Sequence, residues 1–375
     1  MVCCKLKIMK NALSMKKQRA IHLLQIMLLG WVCFTFTCFQ GPAVTSGRRR
    51  MLINSTKRVA ATSTTESSAC IVPEPICAMK QDKAHLWYHI RRYGYTINIP
   101  RACKTDKGRL FLLVFVISDP NDFKGRALFR RFCGNIKEFE KKEIKTFFFV
   151  GQAITGTETR GHYNITDESK MFGDIIQADF IDSYQNITLK TILAFRWITQ
   201  FCPSAQYILR CGHDVFINYE EVVKYLCNIS ATGLTSKLFT GDRHSALSRV
   251  WRNPDSKYHQ TLEQYSAERF PAFISGWASI FTFDVVYLLH WASSGKHLFI
   301  EDVFMSTIAQ EHNITLLHNR HFLQWSERWP KATGELVRRL KCRLRRALSI
   351  HGAPQNQDFW RFLNNTVKRK DNVCK

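Results

Sequence analysis

The segment Leu110–Ile117 reads LFLLVFVI, eight apolar residues without a polar interruption. A strand points successive side chains to opposite faces, so such a run must be covered on both sides. That demand points to a mostly parallel sheet with helices on both faces, and it excludes an open antiparallel sheet with one wet face. The surrounding chain agrees. Thr146–Val150 is a second apolar run ending at Gly151, and a helical stretch around Gly125–Phe132 lies between the two. Ile187–Phe201 carries Ile187, Leu189, Ile192, Leu193, Phe195, Trp197 and Ile198 at helical spacing. Tyr207–Leu209 reads as a short strand, followed by the polar break Arg210-Cys211-Gly212-His213-Asp214. Strands alternating with helices make an α/β fold, in which ligands sit beyond the carboxyl ends of the strands. Asp214 falls at such a point.

The apolar fraction, 45% of 375 residues, is enough for a large core and excludes a disordered or fibrous chain. Only one apolar segment is long enough for a bilayer, which excludes a multispanning transporter. That segment, Ile21–Phe39, has nineteen residues with no formal charge; as a helix it spans about 28 Å. Lys5, Lys7, Lys10, Lys16, Lys17 and Arg19 precede it with no acidic residue among them. By the positive-inside rule the short N-terminus stays cytosolic and the remainder crosses. A cleaved signal peptide competes, but its apolar region is typically only ~7–15 residues. The expected organisation is a cytoplasmic tail (1–20), a transmembrane signal anchor (21–39), a Ser/Thr-rich stem (40–80) and a lumenal domain (81–375). Six Asn-x-Ser/Thr sequons, at Asn54, Asn164, Asn186, Asn228, Asn313 and Asn364, suit a lumenal body. Nine cysteines follow the anchor and match no zinc template, so up to four disulfides with one thiol left over are expected.

Several blocks resemble glycosyltransferase family 31, the β-1,3-galactosyl- and N-acetylglucosaminyltransferases. Gly125–Gly134 follows an Arg-rich family stretch, keeping Arg126, Arg130 and Gly134 but showing Cys133 where the family has tryptophan. The segments around Glu168, Phe172–Ile176, Asp179–Tyr184 and Asn186–Thr191 match nearly residue by residue. Phe201–Asn218 is similar to the segment holding the family's Asp-x-Asp motif, here Gly212-His213-Asp214 with the first aspartate missing. Phe270–Ala278 resembles Tyr-Pro-x-Tyr-x-Ser-Gly-x-Gly, with Trp277 and Ala278 in the last two places. Ile300–Phe304 contains a Glu-Asp-Val motif, Glu301-Asp302-Val303.

The resemblance implies a GT-A-type, Rossmann-like nucleotide-sugar-binding fold and an inverting hexosyltransferase. UDP-galactose or UDP-N-acetylglucosamine would be the donor, and the 3-hydroxyl of an acceptor oligosaccharide on a glycolipid or glycoprotein the target. It assigns Asp302 as the base that deprotonates that hydroxyl, and Asp214 as ligand of a divalent metal, usually Mn2+. It places Arg126, Arg130, Asp182, Lys190, Gly212, His213, Lys257, Gly276 and Glu301 around the donor. His213 could add an imidazole ligand, although a turn histidine is more often solvated or hydrogen-bonded. Glu301 and Asp302 would equally suit the acidic first turn of a helix, and Gly276 a tight turn before a strand. A single-pass type II location in the Golgi membrane is implied. Nucleic acid is not an expected partner, even with 54 Lys+Arg against 30 Asp+Glu and a formal net charge of +24. The basic cluster Arg338–Arg346 reads as a solvated helix face. The departures at Cys133, Gly212, Trp277 and Ala278 leave a second possibility, an inactive member that binds a glycan or assists a partner.

Overall fold

The computed structural model describes residues 92–106, 108–154, 164–294, 296, 300–326, 334–352 and 354–368. The expected tail, anchor and stem lie outside these residues. Among the described residues no helix is long and apolar enough to cross a membrane.

The apolar runs become the centre of one mixed sheet. Its strands in chain order are β1 (Tyr95–Ile97), β2 (Leu110–Ile117), β3 (Glu138–Phe139), β4 (Lys142–Gln152), β5 (Ile175–Ile181), β6 (Ala205–Gly212), β8 (Phe239–His244), β9 (Phe273–Thr282) and β10 (Leu316–His318). Across the sheet they run β1-β5-β4-β2-β6-β9-β8-β10, with β3 paired to β4. β5, β4, β2 and β6 are mutually parallel, whereas β9 enters antiparallel beside β6. A separate small sheet joins β11 (Phe322–Gln324), β12 (Ser349–His351) and β7 (Val215–Ile217).

Among the described residues eight α-helices cover the two faces: α1 (Phe123–Phe129), α2 (Ile165–Phe172), α3 (Ile187–Phe201), α4 (Tyr219–Ala231), α5 (Phe283–Ala292), α6 (Glu301–Glu311), α7 (Gly334–Arg345) and α8 (Gln357–Lys368). Strand β2 shows why helices are needed on both sides. Leu113, Phe115 and Ile117 join one apolar cluster with residues of α3, α5 and α6. Leu112, Val114 and Val116 join another with Val222, Leu226, Leu344 and Trp360. Every residue of β2 is buried. At ~1.5–3 kcal/mol for burying each large apolar side chain, this alternation fixes the strand's register.

Strand β6 outruns its sequence expectation. Arg210 and Cys211 belong to the strand rather than to a polar break, because the buried Arg210 guanidinium meets Glu301 Oε1 at 3.1 Å. The cysteine expectation also changes. Cys103 and Cys202 form a disulfide and Cys342 is disulfide-bonded, but Cys133, Cys211 and Cys227 are free thiols. With three of nine reduced, no more than three bridges can form. Asn228 and Asn364 lie within helices, and Asn164 caps α2 by accepting from the Thr166 N–H at 2.9 Å.

Candidate active site

The parallel strands reverse their lateral order between β2 and β6, which opens a crevice at their carboxyl ends. Ile117 faces Gly212 across that pair, so the turns 118–122 and 212–214 line it together. On the other side of β6, Cys211 pairs with Ala278 of β9. This places Gly276 and Trp277 beside the 212–214 turn.

The small sheet supplies a residue that sequence reasoning did not single out. His351 pairs with Val215, immediately after Asp214. Its Nε2 lies 3.4 Å from Asp214 Oδ2, and its ring stacks on Trp277 at 5.2 Å with 13° between planes. Burial pushes the Asp214 carboxyl up, but the hydrogen bond and charge of His351, with the charge of His213, outweigh it and hold the group below its ordinary value. Gly212 makes room for this arrangement: a Cβ there would come within 2.5 Å of Asp214 Oδ1. His213 turns away, its Nε2 2.6 Å from Asp122 Oδ2. Asp122 also caps α1 by accepting from the Gly125 N–H at 2.8 Å. The His213 hydrogen bond is the main reason the Asp122 carboxyl lies far below the usual range.

Asp302 stands in the first turn of α6, half-buried. Its Oδ2 accepts from the Gly276 N–H at 3.2 Å, and Oδ1 from the Val303 N–H at 2.8 Å. Burial raises its pKa, against the pull of those two hydrogen bonds. Gly276 lies within β9 rather than at a turn before it, and its need for glycine is steric: a Cβ would stand 2.7 Å from Glu301 Oε2 and 3.2 Å from the Asp302 Cβ. Glu301 lies behind Asp302, paired with Arg210, and burial pushes its carboxyl up to about 7.

Other residues expected around the donor have different employment. Arg126 is 1% exposed; its Nε and Nη2 donate to Glu168 at 2.8 and 2.6 Å, and its remaining donors reach Ser118 and the carbonyls of Asp119 and Pro120. Arg130 donates to Glu168 at 2.6 Å and to both Asp174 oxygens at 2.8 and 2.9 Å. Both guanidiniums are therefore engaged by carboxylates, and Arg126 also braces the loop after β2. Lys190 donates to Asp182 at 2.6 Å and to the Ser118 carbonyl, while Asp182 also accepts from the Gly151 N–H at 2.7 Å. Burial lowers the Lys190 ammonium, with Asp182 opposing. Lys257 lies over the rings of Tyr184 and Tyr258, at 5.6 and 4.9 Å from their centroids. Of the basic cluster, Arg338, Arg339, Arg343 and Arg346 are exposed, whereas Lys341 and Arg345 are half-buried and Arg345 Nε donates to the Thr366 carbonyl at 3.2 Å, so only part of it is a solvated face.

Among the described residues no group of three or more His, Cys, Asp and Glu side chains is placed to hold a metal. Asp214 and His351 are the pair that would hold a divalent transition-metal ion, a carboxylate oxygen and an imidazole nitrogen both being accepted by such ions. Their 3.4 Å separation is close to the edge of an octahedron with bonds of ~2.1 Å, roughly 3.0 Å. With two protein ligands, such an ion would rely on the phosphates of a bound nucleotide for much of its coordination.

A family model described as Galactosyltransferase matches residues 124–320, which contain all of this machinery except the 118–122 turn and His351. Human UDP-GalNAc:beta-1,3-N-acetylgalactosaminyltransferase 1 is 32% identical over 275 residues, covering 68% of this chain and 76% of its own. The mouse protein of the same name is 33% identical over the same shares. Beta-1,3-galactosyltransferase 5 of Pan paniscus is 31% identical over 260 residues, 68% of this chain and 81% of its own. The chain belongs to the Galactosyltransferase family, glycosyltransferase family 31.

Proposed function

We propose that the protein is an inverting β-1,3-hexosyltransferase with a GT-A-type fold, moving a sugar from its UDP form to the 3-hydroxyl of an acceptor glycan. The observation that carries this reading is Asp302, hung on the Gly276 N–H one residue from the Trp277 that supports His351 and Asp214. Inverting transfer is one displacement, so one carboxylate suffices to take the acceptor proton as the sugar oxygen attacks. Each Asp302 oxygen accepts one N–H in the free protein and keeps lone-pair capacity for the acceptor hydroxyl. Burial raises the proton affinity of this carboxylate, as a general base requires.

The UDP moiety would lie across the carboxyl ends of β2 and β6. Asp214 and His351 would hold Mn2+ there, which when bound neutralises charge on the departing diphosphate. Arg126 and Lys190 act one layer down, fixing the carbonyls of residues 118–120. Galactose-configured donors are favoured, because the names of the similar human and Pan paniscus proteins specify N-acetylgalactosaminyl and galactosyl transfer; UDP-N-acetylglucosamine remains in the screen. A type II Golgi location, with residues 21–39 as anchor and the catalytic domain lumenal, completes the proposal.

The test is a screen of UDP-galactose, UDP-N-acetylgalactosamine and UDP-N-acetylglucosamine against simple glycoside acceptors, with and without Mn2+. Asp302→Asn should cut transfer by at least ~10²–10⁴-fold while UDP affinity holds; unchanged transfer removes the assignment of the base. The missing carboxylate at Gly212 favours one alternative, an inactive member that binds a glycan or assists a partner. Absence of metal-dependent UDP binding by calorimetry would favour that alternative.

A further inference from the structure

The chain between β8 and β9 places large rings in solvent. Trp251 is 56% exposed and Tyr258 39%, and Tyr184, just before α3, is 43% exposed. These rings form a row: Trp251 to Tyr258 at 6.2 Å between centroids, and Tyr258 to Tyr184 at 6.1 Å, edge to face. The loop that carries them is built, not loose. Arg252 donates to the carbonyls of Gln260, Thr261, Tyr265 and Ala267 at 2.8, 2.9, 2.7 and 2.8 Å. The Gln260 N–H returns a hydrogen bond to the Trp251 carbonyl at 2.9 Å. One guanidinium thus ties the loop together and holds Trp251 outward.

The row is also tied to the reacting carboxylate. Val250, next to Trp251, is buried in a small cluster with Phe270 and Val303, and Val303 follows Asp302. The Tyr184 phenol is raised in pKa by burial, then by Tyr258, Asp302 and Glu301, so it stands within the field of the two carboxylates. Exposed apolar area of this kind, fixed beside a site, marks a ligand surface. A pyranose presents a C–H face and a hydroxyl rim, which a flat ring with a polar edge can meet on both counts.

We propose that Trp251, Tyr258 and Tyr184 form the acceptor platform, on which an uncharged pyranose of the acceptor glycan stacks with its hydroxyl directed to Asp302. The assignment rests on the transferase reading above. Lys257 covers part of both tyrosine rings, which leaves Trp251 as the principal stacking surface.

The experiment uses the purified full-length protein with methyl β-glycosides of galactose, N-acetylglucosamine and N-acetylgalactosamine. Trp251→Ala should raise the acceptor KM at least tenfold, leave Kd for UDP unchanged by calorimetry, and leave the Tm in place; Trp251→Phe should recover most of the loss. An acceptor KM within twofold of the parent in both Trp251→Ala and Tyr258→Ala overturns the platform. A loss seen with long-chain alkyl glycosides but not with methyl glycosides overturns it in favour of an aglycone site. If the parent protein transfers from no UDP-sugar, the transferase reading fails separately, and saturation-transfer NMR with the same glycosides still decides. Binding abolished by Trp251→Ala then supports the platform, and binding that is equal in both or absent from both refutes it.

Discussion

Replacing Glu168 with glutamine tests whether the crevice is held up from behind. The carboxylate is 4% exposed and accepts from two guanidiniums. In the variant Arg130 keeps both bonds to Asp174, but Arg126 retains only neutral acceptors: the Ser118 hydroxyl and the Asp119 and Pro120 carbonyls. A glutamine amide also turns one acceptor into a donor facing a donor. Removing one partner of a buried ion pair costs about 3–5 kcal/mol, because the other charge stays buried. At roughly 2–4 °C per kcal/mol for a domain of this size, the Tm should fall by about 6–20 °C in a calorimetric scan. Asp174→Asn is the internal comparison. The Asp174 side chain is 17% exposed, so water can replace the lost oxygen and the fall should be clearly smaller. Because Arg126 grips the loop after β2, Glu168→Gln should also weaken UDP binding near its lowered Tm. A Tm loss below about 3 °C, or equal losses in the two variants, would show that this network does not carry the loop.

Glu301, raised by burial to about 7, is destabilising when ionised, so its contribution to stability is present below its ordinary value of 4.5 and is lost as pH rises through about 7. Subtracting the Tm of Glu301→Gln from that of the parent across this interval should give a declining difference; two parallel curves would contradict the assignment. Gly212→Ala pushes a methyl into the space of the Asp214 carboxylate, and should weaken Mn2+-dependent UDP binding about tenfold by calorimetry with little change in Tm. An unchanged Kd would mean that Asp214 has another productive position. Replacing Cys103 and Cys202 by serine opens a loop of sequence separation 99 and should cost about 2–5 kcal/mol in chemical denaturation; a loss under 1 kcal/mol would indicate that the denatured chain is already compact there.

What the sequence made legible was set by the range of each interaction. The burial of β2 and the limits of α3, Ile187–Phe201, follow from local apolar patterning, and both appear in the fold as expected. Arg210 looked like the start of a polar turn because its partner, Glu301, arrives on α6 far along the chain. Arg126 and Arg130 looked like phosphate ligands for the same reason: Glu168 and Asp174, which engage them, are charges of another segment. His351 had no local motif, since it reaches Asp214 only by strand pairing between β12 and β7. A window along the sequence sees periodicity and spacing; it does not see which distant carboxylate has already claimed a guanidinium.

The substitutions that set this chain apart from the family pattern are joined in space, and that bears on whether the site is intact. Gly212 leaves the volume into which Asp214 folds, Asp214 reaches His351, and His351 lies flat on Trp277. Ala278, the next departure, is fully buried opposite Cys211 in the β6–β9 ladder. Cys133 packs against the backbone of Ile217 in β7, the strand that positions His351. A second carboxylate at 212 would meet Asp214 within a few ångströms, and like charges at that distance raise one pKa unless a cation intervenes. With glycine there, Asp214 has room beside the His351 imidazole, which helps hold its carboxyl below the ordinary value. The chain therefore keeps one carboxylate, with a histidine beside it, where the family pattern it resembles has two aspartates, on the crevice that Asp302 faces from the first turn of α6.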